Sequence, residues 1–122
     1  MERPTILIAD DEPMIVSALT RVANSAGFNA IGDTSSTQVI PLAKAHRPQL
    51  IILDLRQCVD GRDILAQLKK DPETKNIKVI ILTAVEDQFT RQTCLELGAV
   101  DYELKPFDST FMQKIRRHVG LE

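Results

Sequence analysis

No stretch of this chain approaches the roughly 18 to 20 consecutive apolar residues that cross a bilayer. Met1-Glu2-Arg3-Pro4 leads straight into the first apolar run, which leaves no room for a signal peptide and makes the cytoplasm the expected compartment. Cysteine is scarce. Cys58 and Cys94 form no CxxC pair and have no accompanying His/Cys cluster, so they read as free thiols and a zinc site is excluded. Excess positive charge is also lacking. With a net charge of −2, nothing argues for non-specific nucleic-acid binding. No G-x-G-x-x-G follows the first apolar run, which disfavours a dinucleotide-binding enzyme. With no low-complexity tract and no long linker, 122 residues predict one domain, 1–122, with a real core.

What the chain does have is a set of short apolar runs, each stopped by a polar residue. Ile6-Leu7-Ile8-Ala9 ends at Asp10-Asp11, and Leu50-Ile51-Ile52-Leu53 ends at Asp54. Val79-Ile80-Ile81-Leu82 ends at Thr83, and Val100 to Leu104 ends at Lys105-Pro106. Short apolar runs separated by helical stretches read as parallel strands buried on both faces.

The spacing predicts strands over Thr5 to Asp10, Phe28 to Gly32 (short, at an edge), Pro48 to Asp54, Ile77 to Leu82 and Ala99 to Leu104. Helices are expected over Pro13 to Ala26, from the Asp33 to Thr37 segment to about His46, over Arg62 to Lys70, over Glu86 to Leu97, and from the Asp108 cap to about His118. Pro13 suits a first helical turn, and Gly27 suits a helix stop. Asp33 to Thr37 is rich in capping residues. Pro41 inside the second helix calls for a late start or a local distortion. Five βα units with right-handed crossovers predict a doubly wound, flavodoxin-like α/β sandwich with parallel sheet order 2-1-3-4-5.

In an open parallel sheet, ligands bind outside the carboxyl ends of the strands. There, Asp10, Asp11 and Asp54 converge with Thr83 and Lys105. Nothing about folding rewards three adjacent carboxylates, whereas a hard cation such as Mg²⁺ takes one or two carboxylates plus waters and phosphate oxygens. A carboxylate is also a competent nucleophile towards phosphorus. Asp54 is the central candidate, with Lys105 and Thr83 placed to neutralise and hydrogen-bond phosphoryl oxygens. Each residue has a plainer role too. Asp10-Asp11 would cap the Pro13 helix, Asp54 and Thr83 would end strands, and Lys105 would be a solvated lysine.

Asp10-Asp11, Asp54, Thr83-Ala84 and Lys105-Pro106-Phe107, in this order on five βα units, resemble the receiver domain of two-component response regulators. The resemblance covers essentially the whole chain. It implies a phosphorylation-controlled switch, a signalling protein that catalyses only its own phosphorylation and dephosphorylation. Asp54 would accept a phosphoryl group from a sensor histidine kinase or a histidine phosphotransfer protein. Asp10, Asp11, Asp54 and the Arg56 backbone carbonyl would hold Mg²⁺. Thr83 and Tyr102 would form a switch pair that alters the face of the fourth helix, fifth strand and fifth helix. An output protein or domain would read that change, with no direct nucleic-acid or membrane contact by a monomer or weak dimer.

The loop Asp54-Leu55-Arg56-Gln57-Cys58-Val59-Asp60-Gly61 departs from the resemblance. It is one residue shorter than the usual D-x-x-M-P-x-M-D-G and lacks its proline. This puts the Arg56 carbonyl in question, while Arg56 and Val85 are expected to tune phosphoryl lifetime. Two other readings compete: a receiver-like module that binds partners without phosphorylation, and an Mg²⁺-dependent aspartyl phosphatase. The latter lacks a cap domain and a carboxylate two residues after Asp54. Cys58 reads as an ordinary loop cysteine and Arg116-Arg117 as a solvated face. His46 and His118 suit helix C-termini. Arg91, Asp101, Glu103 and Lys114 form a mixed-charge face. Leu121-Glu122 is compatible with an appended cloning remnant.

Overall fold

The computed structural model describes residues 3–56 and 60–121. Met1, Glu2, Gln57, Cys58, Val59 and Glu122 lie outside the described residues, and with them the readings placed on the first two residues, on Cys58 and on the final residue. The elements are β1 (Thr5–Ala9), α1 (Pro13–Ser25), β2 (Asn29–Asp33), α2 (Val39–His46), β3 (Leu50–Leu53), α3 (Gly61–Lys70), β4 (Lys78–Thr83), α4 (Gln88–Glu96), β5 (Asp101–Leu104) and α5 (Ser109–His118). The sheet is parallel in the order β2-β1-β3-β4-β5, as expected, with β2 at an edge.

Alternation along the central strands divides the core into two layers. Leu7, Ile51, Leu53, Val79 and Ile81 point to one face, where they meet Val39 and Ala43 of α2, Ile64, Leu65 and Leu68 of α3, and Cys94 of α4. Ile6, Ile8, Leu50, Ile52, Ile80 and Leu82 point to the other, against Leu19 and Ala23 of α1 and Phe111 and Ile115 of α5. All four residues of β3 are buried. Each such Leu or Ile contributes about 1.5–3 kcal/mol relative to exposure, so β3 is the least movable strand, and Asp54 follows it directly. No helix among the described residues is long and apolar enough to cross a membrane.

Local chemistry sets the helix ends. α2 starts late, at Val39, which puts Pro41 in the first turn where its missing N–H costs nothing. Gln38 makes no side-chain cap there. Instead the Asp33 carboxylate accepts from the Ser35 N–H, the Ser35 hydroxyl and the Gln38 N–H, so the end of β2 organises the entry to α2. α4 begins two residues later than its periodicity suggests, because Asp87 caps it by accepting from the Thr90 N–H and hydroxyl. Asp60 and Asp108 cap α3 and α5 in the same way. Arg116 is a correction. It is partly buried, and its guanidinium donates to the Ala26 carbonyl at 3.0 Å beyond the end of α1, because α1 and α5 pack on the same face of the sheet.

Gly61 is constrained by its neighbours. A Cβ there would lie 2.4 Å from the Asp54 carbonyl oxygen and 2.7 Å from the Leu55 Cα. Both are backbone atoms at the end of the most buried strand, so neither can yield cheaply. Gly61→Ala is therefore expected to destabilise the protein by about 2 kcal/mol, in the range for overpacking. Urea denaturation measures this, and an unchanged midpoint would contradict the account.

Candidate functional site

The carboxyl ends of β1, β3, β4 and β5 are tied together by the backbone before any side chain is considered. The Asp54 N–H donates to the Ala9 carbonyl at 3.0 Å, the Asp10 N–H to the Asp33 carbonyl at 3.1 Å, and the Lys105 N–H to the Thr83 carbonyl at 2.9 Å. Positions 10, 54, 83 and 105 thus form one edge. The Lys105–Pro106 peptide is cis.

Asp10 and Asp54 are buried and Asp11 is exposed, yet one carboxylate oxygen from each lies within 4.8 Å of the others. Two like charges at that separation repel by about 3 kcal/mol at an effective dielectric near 20. Lys105 offsets this. Its Nζ lies 2.9 Å from Asp10 Oδ2, 3.3 Å from Asp54 Oδ2 and 2.7 Å from Glu12 Oε2, with the lysine side chain itself 13% exposed. Burial opposes the charge on this lysine. Its hydrogen bonds to Asp10 and Glu12, with the charges of Asp54 and Asp10, outweigh burial and hold its pKa above the ordinary lysine value. Burial likewise dominates at Asp10 and, with the neighbouring Asp54 charge, raises its pKa despite the bonds from Lys105 and from the Glu12 N–H. Asp10 Oδ1 accepts that N–H at 2.9 Å. So Asp10 also does part of the plainer work of shaping the entry to α1, although Glu12 is the N-cap residue.

Thr83 is fully buried and Tyr102 nearly so. They are joined through one residue. The Val85 N–H donates to Thr83 Oγ1 at 3.3 Å, and the Tyr102 hydroxyl donates to the Val85 carbonyl at 2.7 Å. Burial raises the Tyr102 pKa, which keeps its hydroxyl a donor. Arg91 Cζ stands 6.0 Å from the centre of the Tyr102 ring. Thr83 and Tyr102, the expected switch residues, are therefore linked through Val85, along a path from the end of β4 to β5.

The Arg56 N–H donates to Asp54 Oδ1 at 3.3 Å. Its exposed side chain borders a hollow of about 250 Å³ that is also lined by Leu55, Asp60, Arg62, Val85 and Thr90. On the mixed-charge face, Lys114 pairs with Glu103, and His118 Nε2 lies 3.3 Å from Asp101 Oδ2. Cys94 is a free, buried core thiol whose pKa is raised chiefly by burial.

The structure thus brings Asp10, Asp11, Asp54 and Lys105 together, with Thr83 at the end of the adjoining strand and Tyr102 reaching it through Val85. Sequence reasoning missed Glu12, the nearest partner of Lys105. The signal available for it was a third acidic residue in the run Asp10-Asp11-Glu12 directly before Pro13.

Comparison with known proteins agrees with this architecture. The family model for the response regulator receiver domain matches residues 6–117. The chain is 36% identical over 109 residues to sporulation initiation phosphotransferase F of Bacillus subtilis, spanning 88% of this chain and 86% of that protein. It is 33% identical over 103 residues to the alkaline phosphatase synthesis transcriptional regulatory protein of the same organism, spanning 84% of this chain and 42% of that protein. The chain thus covers less than half the length of that longer regulator. The crystal structure of a response regulator receiver domain protein from Methanospirillum hungatei superposes with a TM-score of 0.90 over 97% of this chain and 94% of that one, at 19% identity, which speaks to the fold. The chain belongs to the response regulator receiver domain family.

Proposed function

We propose that this domain is a phosphorylation-controlled switch in a two-component phosphorelay, with Asp54 as the phosphoacceptor and residues 1–122 acting as one receiver domain. The observation that carries the reading is the convergence of one ammonium and three carboxylates at the end of the most buried strand. The chain's similarity to a sporulation initiation phosphotransferase supports a phosphohistidine donor, either a sensor histidine kinase or a histidine phosphotransfer protein. Its similarity to part of a longer transcriptional regulator supports a separate output, in the same chain or another, that reads the switch.

The donor set fits Mg²⁺. Three carboxylate oxygens within 4.8 Å of one another are hard ligands with excess negative charge. Asp10, Asp11 and Asp54 would hold the ion, with the Arg56 carbonyl as a further candidate. Bound there, Mg²⁺ supplies charge neutralisation for the transferring phosphoryl group. An Asp54 carboxylate oxygen attacks phosphorus, the P–O bond forms, and the donor's P–N bond breaks, with its electron pair returning to the imidazole nitrogen. Lys105 accompanies the negative charge that arrives on Asp54. The Thr83 hydroxyl turns its hydrogen towards a phosphoryl oxygen. Thr83 Oγ1 also accepts from the Val85 N–H, so this reorientation acts on Val85 and, through its carbonyl, on Tyr102. A phosphoryl group adds about −1.5 to −2 charges, enough to bias α4, β5 and α5 as a two-state element.

Two measurements test this. Intact mass after incubation with acetyl phosphate and Mg²⁺ should rise by about 80 Da, one phosphoryl group. The gain should vanish without Mg²⁺ and in Asp54→Asn, and the same gain on Asp54→Asn would refute the site. The second measurement uses Asp10. A carboxyl whose folded pKa is raised contributes stability that is fully present below its unfolded value of 3.8 and is lost as pH rises through the folded value. At neutral pH its charge is therefore a net cost. Asp10→Asn should melt a few degrees higher than the parent at pH 7 without metal, a gain of order 1 kcal/mol, and lose that advantage in acid. The same variant should bind Mg²⁺ more weakly. An Asp10→Asn variant less stable than its parent at pH 7 would show that the Lys105 pair, rather than burial, governs Asp10.

A further inference from the structure

We infer that Glu12 is a positioning residue for Lys105. It provides the ammonium with a second seat at the rim, so that Lys105 can give up Asp10 and Asp54 to an incoming cation without losing all its partners. The inference rests on the reading of Asp10, Asp11 and Asp54 as a cation site.

Three observations lead to it. First, the contacts of Lys105 are graded. Glu12 is nearest at 2.7 Å, then Asp10 at 2.9 Å, then Asp54 at 3.3 Å. Second, the partners differ in exposure. The Asp10 and Asp54 side chains are each 4% exposed and Glu12 is 58% exposed, so Lys105 sits between a buried pair and one partner on the solvent side. Third, Glu12 breaks a local rule. It is the N-cap residue of α1, where Ser, Thr, Asp and Asn are preferred, and its side chain makes no capping hydrogen bond. Its carboxylate is instead committed to a lysine 93 positions away. Departures from local preference of this kind concentrate at functional sites.

The physical need for a second seat follows from burial. A lysine only 13% exposed cannot simply turn to water when its carboxylates are claimed, and leaving it uncompensated is expensive. With Glu12 in place, the ammonium keeps its shortest ion pair while Asp10 and Asp54 exchange one positive charge for another. Without Glu12, the whole charge of Lys105 rests on Asp10 and Asp54 and competes directly with the cation.

A double-mutant cycle tests this through the affinity for magnesium chloride, read from amide NMR shifts at constant ionic strength, in wild type, Glu12→Gln, Lys105→Met and the double variant. If Glu12 acts through Lys105, Glu12→Gln weakens Mg²⁺ binding by about three- to tenfold when Lys105 is present, and by less than about twofold when it is replaced by Met. An equal loss in both backgrounds would mean that Glu12 acts by its own charge and would overturn the inference. No loss in either would reduce the contact to an exposed ion pair and overturn it as well. Absence of Mg²⁺ binding by the wild type would overturn the cation-site reading itself, and this inference with it. Glu12→Ala also removes the carboxylate, and it gives the same cycle should Glu12→Gln fold poorly.

Discussion

One buried ammonium holds the carboxyl edge of this sheet together. Asp10 and Asp54 are delivered there by β1 and β3, strands whose burial fixes their register, so the chain cannot relieve the repulsion between the two carboxylates by moving them apart. Lys105 arrives from β5, which does not pair with either strand. Its side chain therefore crosses above β4 to reach them. The consequence is a balance in which the folded state tolerates carboxylates at a separation that water would not favour. The same balance leaves the site short of positive charge. A cation and a phosphoryl group are the chemistry that such a shortage and such a lysine together accept.

The site is also coupled to the rest of the fold by short covalent and hydrogen-bonded steps. Thr83 ends β4, Val85 lies two residues on, and the Tyr102 hydroxyl from β5 closes on the Val85 carbonyl. The links are a long hydrogen bond of 3.3 Å from the Val85 N–H to Thr83 Oγ1 and one of 2.7 Å from the Tyr102 hydroxyl to the Val85 carbonyl, each worth at most about 1 kcal/mol net. That is small beside the charge change a phosphoryl group brings, so the modification proposed at Asp54 would suffice to rearrange these bonds. The Arg91 guanidinium near the Tyr102 ring extends the path to the surface of α4.

Much of this was legible in the sequence, because the central strands are continuous apolar runs and their stops are polar. Strand order, the edge position of β2 and the grouping of Asp10, Asp11, Asp54 and Lys105 follow from period and punctuation, while Pro41 left a late start or a local distortion of α2 open, and the helix starts at Val39. What was not legible depends on side chains that act at a distance. Asp33 organises the entry to α2 from five residues upstream, and no helix-start pattern places a cap so far away. Arg116 lies in a basic run that reads as solvated, and its donation to Ala26 exists only because α5 packs beside the end of α1. Glu12 looks like an exposed acid at a helix start, and its partner is separated from it by 93 positions of chain.

The two edges of the sheet show why function and stability pull apart here. At the amino edge the backbone is served mostly by ordinary devices: Asn29 N–H to the Pro4 carbonyl, Gln49 N–H to the Thr5 carbonyl, and Arg3 donating to the Asn24 carbonyl in the last turn of α1 and to the Gly27 carbonyl beyond it. At the carboxyl edge the rules are broken in a cluster: buried carboxylates at Asp10 and Asp54, the former with a pKa raised chiefly by burial, a non-capping Glu12 at an N-cap, and a backbone approach at Gly61 too close for any Cβ. Each departure costs stability taken singly, and all meet within one constellation around Lys105 and the end of β3. Departures occur elsewhere too, at the left-handed Arg47 that ends α2 and at Lys69, whose pKa burial lowers. Those around Lys105 differ in sharing the edge where an α/β sheet binds its ligand, with the buried strands supplying the stability that lets them persist.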